Sequence, residues 1–202
     1  MKVLLLGGYG VFGARLAKLL VVDGHDVCIA GRSLRAAQTC AADLGCRAIQ
    51  MDRSQDLGAL TVHDVVIDAA GPFHAYGADP YRLARAALGA GAHYLDLSDD
   101  AAFCLGISAL DAEARRAGCC VLSGLSTVPA LSSAAVRALA GAEVPRVIDV
   151  AILPGNRAPR GLSVMQSILS GAGRPMPVWR GQQWDRVPGW SGPADYVLPG
   201  GL

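Results

Sequence analysis

The segment Lys2 to Leu20, KVLLLGGYGVFGARLAKLL, leaves this chain few folds to choose from. An apolar run, Val3 to Leu6, breaks into glycines and opens at once into an amphipathic stretch. Gly8, Gly10 and Gly13 set the spacing G-x-G-x-x-G, and Gly7 adds a further glycine on the strand side. A strand that turns this tightly into a helix needs a glycine for the turn and a second so that the backbone can approach a pyrophosphate. It needs the third so that helix and strand can pack closely. The N-terminus of such a helix presents unpaired N–H groups and the positive end of its dipole to an anion. The glycine spacing alone is weak evidence; the strand before it and the helix after it strengthen it.

The remaining pattern continues the alternation. DVCIAG (Asp26 to Gly31) reads as a second strand, and SLRAAQTCAADLG, ending at Gly45, as a helix. RAIQMD (Arg47 to Asp52) and DVVIDAAGP (Asp64 to Pro72) read as the third and fourth strands. DPYRLARAALGAG (Asp79 to Gly91) predicts a helix with Asp79 as its cap, Pro80 at its first position and glycine at its end. HYLDLS (His93 to Ser98) is a fifth strand, followed by one long helix from about Asp99 to Ala117, closed by Gly118, and a sixth strand, CCVLSG. Short apolar strands separated by helices imply a parallel sheet covered on both faces, with right-handed crossovers. The expected fold is therefore α/β, a doubly wound parallel sheet. A further helix is expected over STVPALSSAAVRALAG, and a strand over VIDVAIL (Val147 to Leu153). From Pro154 to Leu202 prolines, glycines and all three tryptophans accumulate, ending in YVLPGGL. We read residues 1–144 as the dinucleotide-binding domain and 145–202 as the start of a truncated second α/β domain, whose tryptophans pack against something.

Bulk properties narrow the function. Hydrophobic residues make up 52% of the 202, enough for a sizeable core, and charged ones 17%. A formal net charge of +1 argues against broad attraction to nucleic acid or acidic membranes. No uninterrupted apolar stretch has membrane length, and the glycines after the first strand do not suit a signal peptide. The six cysteines (Cys28, Cys40, Cys46, Cys104, Cys119, Cys120) form no C-x-x-C pair, so reduced thiols in a cytoplasmic protein are expected. Cys119 and Cys120, inside the sixth strand, should point to opposite faces. The four histidines show no zinc-ligand spacing, so no metal is expected. Only two lysines are present, Lys2 and Lys18, and neither follows a tyrosine by four residues, which excludes Tyr-x-x-x-Lys reductase chemistry.

The end of the second strand selects the cofactor. An acidic residue there would hold the ribose hydroxyls of NAD. This chain has Gly31-Arg32-Ser33 instead. A planar guanidinium beside a hydroxyl suits a 2′-phosphate, which favours NADP. Asp52 ends the third strand and either approaches the adenine edge or caps a turn. Ala69, Ala70, Gly71 and Pro72 end the fourth with small residues past which a cofactor can slide.

GGYGVFGARLAKLL, AGRS, DAAGPFHAYG, HYLDLSDD and SGLSTVPALSS, in that order, resemble the NADP-binding domain of saccharopine dehydrogenase-like oxidoreductases, from Met1 to about Ala140. Gly-Pro-Phe after the fourth strand and Tyr-Leu-Asp-Leu-Ser-Asp at the fifth carry the resemblance more specifically than the glycines. It implies a Rossmann domain followed by a substrate domain, with nicotinamide in the cleft between them. It further implies Gly8, Tyr9, Gly10, Val11 and Phe12 beside the pyrophosphate and Arg32 and Ser33 beside the 2′-phosphate. Ala70, Gly71 and Pro72 would lie near the nicotinamide ribose. Asp96, Ser98 and Asp99 end the fifth strand at the carboxyl edge of the sheet, where ligands bind in open α/β folds. With Tyr76 they are expected to face the nicotinamide, Asp96 and Tyr76 being the candidate catalytic residues. The alternative, that Ser98 or Asp99 only caps the next helix, is preferred for Asp99 and stands level for Asp96. Hydride transfer needs no protein base of its own. The expected activity is NADP-dependent oxidation or reduction of a small molecule, with homodimerisation through apolar surface left by the missing domain. The alternative is a non-catalytic NADP-binding sensor or regulatory protein.

Overall fold

The computed structural model describes residues 1–55, 57–153, 155, 157–193 and 195. Six parallel strands form the main sheet: β1 (Lys2–Leu6), β2 (Asp26–Gly31), β3 (Arg47–Gln50), β4 (Val65–Asp68), β5 (His93–Asp96) and β6 (Val121–Leu122). Their order is β3-β2-β1-β4-β5-β6, all neighbours parallel. After β3 the chain crosses back to lay β4 beside β1. The order of strands reverses there, which opens a crevice at the carboxyl ends of β1 and β4.

Alternation along the strands builds two cores. Leu4, Leu6, Cys28, Ala30, Val66 and Tyr94 point to one face and pack under α3 (Arg82–Gly89) through Leu83, Ala84, Ala87 and Leu88. Val3, Leu5, Val27, Ile29, Val65 and Ile67 point to the other. There they meet Ala17 of α1 (Val11–Val22) and Ala37 and Ala41 of α2 (Leu34–Leu44). With apolar side chains on both faces, the strands read as continuous apolar runs.

Several predicted boundaries differ, each for a local reason. α3 starts at Arg82 with Tyr81 before it, because Asp79 forms an ion pair with Arg85 instead of capping. The long helix expected over 99–117 is broken into α4 (Ala101–Gly106), a 3-10 turn at Ile107–Leu110, and α5 (Asp111–Ala117). Tyr81 is the cause. Its hydroxyl donates to the Phe103 carbonyl at 2.9 Å, the acceptor that the N–H of residue 107 would use in an unbroken helix. Asp100, not Ser98 or Asp99, caps α4, accepting from the Phe103 N–H at 2.7 Å. Gly118 closes α5 in the left-handed conformation at φ 63°, as expected. Cys119 and Cys120 lie before the two-residue β6, so strand alternation does not govern them; the Cys120 N–H donates to His93 Nδ1.

Beyond the sheet, α6 (Ser132–Ala140) follows a turn at Thr127–Leu131. The strand expected over Val147–Leu153 does not form. A strand needs a neighbour for its N–H and C=O groups, and none of the described strands borders it; Val147, Ile148 and Ile152 stay exposed. The chain continues in α7 (Leu162–Ser170) and a hairpin of β7 (Pro175–Arg180) and β8 (Gln183–Pro188). Trp179 and Trp184 face each other across the hairpin with ring centroids 5.3 Å apart, both exposed, and Trp190 is exposed too. Pro154 and the YVLPGGL end lie outside the described residues. No helix among the described residues is long and apolar enough to cross a membrane.

Candidate functional site at the carboxyl edge of the sheet

The glycine turn sits at the crevice. Gly7 takes φ +77°, a conformation that side chains disfavour, and its N–H donates to the Ala30 carbonyl of β2 at 2.8 Å. A Cβ on Gly13 would stand 2.9 Å from both the Gly7 carbonyl carbon and Gly8 Cα, so only glycine lets α1 come this close to the turn. Gly10 occupies the cap position of α1 with no side-chain cap, which leaves first-turn N–H groups for an anion. Val11 and the exposed Phe12 begin the helix. These features fit a pyrophosphate: the cradle is lined by backbone where a Cβ would intrude.

At the end of β2, Gln50 of β3 holds the Arg32 carbonyl at 3.0 Å and leaves the guanidinium exposed. Ser33 caps α2, accepting from the Ala36 N–H at 3.2 Å. Tyr9 reaches this same corner rather than staying over the turn. Its hydroxyl oxygen accepts the Ser33 N–H at 3.1 Å. Asp52 makes a turn of its own, accepting from the Ser54 N–H at 2.9 Å and its hydroxyl at 2.7 Å. Those two donors, with Arg32 and Arg53 behind them, hold its carboxyl below the ordinary range.

Ala69, Ala70, Gly71 and Pro72 leave β4 alongside the turn: a Cβ on Gly7 would stand 2.6 Å from Ala70 Cα and 2.7 Å from the Ala69 carbonyl. Just before them lies Asp68, fully buried. It accepts from the Ala70 N–H at 3.0 Å and from the Tyr76 hydroxyl, 3.1 and 3.0 Å from its two oxygens. Burial pushes the Asp68 carboxyl up to about 6. The Tyr76 hydroxyl is raised by burial first and then by the Asp68 charge. The Arg53 guanidinium stacks 3.2 Å over the Tyr76 ring, a favourable cation–π contact.

Asp96 pairs in register with Asp68 and is also fully buried. Its Oδ1 accepts from the Ser98 N–H (2.9 Å), the Ser123 hydroxyl (2.8 Å) and the Gly124 N–H (2.9 Å). Oδ2 has no hydrogen-bond partner among the described residues, and burial raises the group. Ser98 is buried and accepts the Asp100 N–H. Asp99 is exposed and accepts from Ser167 of α7 at 2.9 Å. α7 lies over this edge with inverted polarity. Ser163, whose hydroxyl donates to the Ala70 carbonyl at 3.4 Å, and Ser167 face the sheet, while Leu162, Ile168 and Leu169 are exposed.

The structure thus gathers the glycine turn, Arg32-Ser33, Ala69 to Pro72, Asp96 and Ser98 along one edge. Sequence reasoning missed Asp68, Arg53 and the serines of α7. Asp68 left a signal, a carboxylate ending the otherwise apolar VVID; Ser163 and Ser167 left none, because only the packing of α7 brings them here.

The model of the saccharopine dehydrogenase NADP binding domain matches residues 3–122. A search of curated proteins finds no match. Among solved structures, the chain is similar to apo saccharopine dehydrogenase (L-Glu forming) from Saccharomyces cerevisiae, at 25% identity and TM-score 0.55, covering 69% of this chain and 32% of that one. It is also similar to GenD2 from gentamicin A biosynthesis, solved in complex with NAD (23%, TM-score 0.51, 70% and 39%). A third is the UDP-N-acetylglucosamine 3-dehydrogenase GnnA from Acidithiobacillus ferrooxidans (20%, TM-score 0.51, 72% and 43%). The last two likenesses show the fold. The chain spans less than half the length of each of these proteins.

Proposed function

Because the chain belongs to the saccharopine dehydrogenase NADP-binding domain family, we propose that it holds the dinucleotide of an oxidoreductase acting on a small molecule at the α7-covered edge of the sheet. NADP, when bound, supplies the hydride chemistry. The observation that carries this reading is the uncapped start of α1 at the β1–β4 crevice, with the exposed Arg32 at the end of the neighbouring β2.

In this reading Gly7, Gly8, Gly10, Val11, Phe12 and Gly13 form the pyrophosphate cradle, and Arg32 and Ser33 take the 2′-phosphate. Asp52 borders the adenosine. Ala69, Ala70, Gly71, Pro72 and Ser98 shape the nicotinamide end. Tyr76 and Asp96 are assigned positioning roles there. The Tyr76 hydroxyl already donates to Asp68, and Asp96 binds three donors of its own protein, so both set the shape of the floor. The engagement of Tyr76 also favours a second reading, a non-catalytic NADP-binding sensor, since its hydroxyl does not stand free to exchange a proton.

Titrating the chain with NADPH and NADH, followed by nucleotide fluorescence, tests the cofactor assignment. Tighter binding of NADPH is expected; preference for NADH, or binding of neither, overturns it. Hydride turnover with any small-molecule substrate would exclude the sensor reading.

A further inference from the structure

Tyr9 sits in the glycine turn, yet its side chain leaves the turn and lies across the end of β2. A Cβ on Gly31 would stand 2.8 Å from Tyr9 Cζ and 2.7 Å from its hydroxyl oxygen. A side chain at residue 31 would therefore have to displace the ring. The ring fills the space into which a side chain at residue 31 would project, the end of the second strand where an acidic ribose reader stands in other dinucleotide folds.

The hydroxyl adds a second observation. Its oxygen accepts the Ser33 N–H at 3.1 Å, so the backbone donor nearest Arg32 is already used. A phenol has one proton to give in return, and that proton has no acceptor among the described residues. A donor that itself accepts a hydrogen bond is polarised and strengthened. Beside the ring lies an open cavity of about 430 Å³ lined by Tyr9, Ser33, Arg35, Thr39 and the acidic Asp43 among others. Arg32, adjacent in sequence, forms no ion pair among the described residues.

We infer that Tyr9 is a specificity-determining residue for the 2′-phosphate: its ring fills the space of an acidic reader at residue 31, and its hydroxyl, backed by the Ser33 N–H, donates to the phosphate beside Arg32. The inference rests on the NADP reading and assigns to the 2′-phosphate a residue otherwise placed with the pyrophosphate.

Calorimetric titration of the whole chain with 2′,5′-ADP and with 5′-ADP tests it. Wild-type chain should prefer 2′,5′-ADP. Tyr9→Phe keeps the ring and removes one charge-assisted donor, so 2′,5′-ADP should weaken roughly 10-fold or more while 5′-ADP is unchanged. Gly31→Ala, which displaces the ring, should reproduce that selective loss; if it fails to fold, Tyr9→Phe decides alone. Unchanged 2′,5′-ADP affinity in Tyr9→Phe, or equal losses for both ligands, overturns the role of Tyr9 while the NADP reading stands. Wild-type chain that binds neither ligand, or prefers 5′-ADP, overturns both.

Discussion

Replacing Asp68 with Asn should stabilise the folded chain at alkaline pH, although it alters a buried side chain with several hydrogen bonds. Asp68 is fully buried and its carboxyl is pushed from 3.8 up to about 6, chiefly by burial. The gap of roughly 2 pH units corresponds to about 3 kcal/mol, at about 1.4 kcal/mol per unit. The sign follows from proton uptake. Between pH 4 and 6 the folded state keeps the proton and the unfolded state releases it, so stability falls as pH rises through this window and stays low above it. Asn keeps an oxygen to accept from the Ala70 N–H and the Tyr76 hydroxyl, and carries no charge. Allowing about 1 kcal/mol for imperfect accommodation of the amide, Asp68→Asn should gain about 2 kcal/mol at pH 8 and lose about 1 kcal/mol near pH 4, where Asp68 is protonated in both states. In a chain of this size that is a rise in Tm of roughly 4–8 °C. Urea melts at pH 5, 6, 7 and 8 would measure it. A variant less stable than wild type at pH 8, or a difference that does not vary with pH, would refute burial as the dominant influence on Asp68.

Arg32→Ala should weaken NADPH by about 10-fold or more and leave NADH nearly unchanged, because only NADPH loses a phosphate partner; paired fluorescence titrations check this. Gly13→Ala drives a methyl into the Gly7 backbone and should abolish binding of both nucleotides while lowering stability by more than about 2 kcal/mol, measured by thermal melts and the same titrations. Tyr81→Phe removes the bond to the Phe103 carbonyl and should lower stability by about 1 kcal/mol. Hydrogen exchange should then show the N–H of Ile107 more protected, as α4 extends toward α5.

The sheet was legible because each strand carries its own signal, an apolar run ended by glycine or a carboxylate, and parallel pairing follows from the helices between. The glycine turn into α1 and the Gly31-Arg32-Ser33 end of β2 were readable because each is local in sequence. What escaped depends on contacts between distant residues. Nothing near Gly106 announces that Tyr81 will break the helix, and Asp79 looks like a cap until Arg85 is placed beside it. Val147 to Leu153 has strand composition, but a strand exists only with a neighbour, which composition cannot supply. Asp96 and Tyr76 were found by position at the carboxyl edge, whereas their burial and their bonds to Ser98, Ser123, Gly124 and Asp68 come from the assembled loops.

The two ends of that edge differ in stiffness. Asp96 draws donors from the segments after β5 and after β6 onto a single oxygen, Ser98 holds the Asp100 N–H, and Asp100 holds the start of α4. Gly124, Ser98 and the start of α4 are thus tied to one another through Asp96 and Asp100, and this end is built as one lip. The opposite corner is pinned by Gln50 on the Arg32 carbonyl and Tyr9 on the Ser33 N–H, with exposed side chains beyond them. The β2 corner thus presents exposed side chains and the β5 lip buried, mutually bonded groups, and tolerance of altered ligands should be greater at the β2 corner than at the β5 lip.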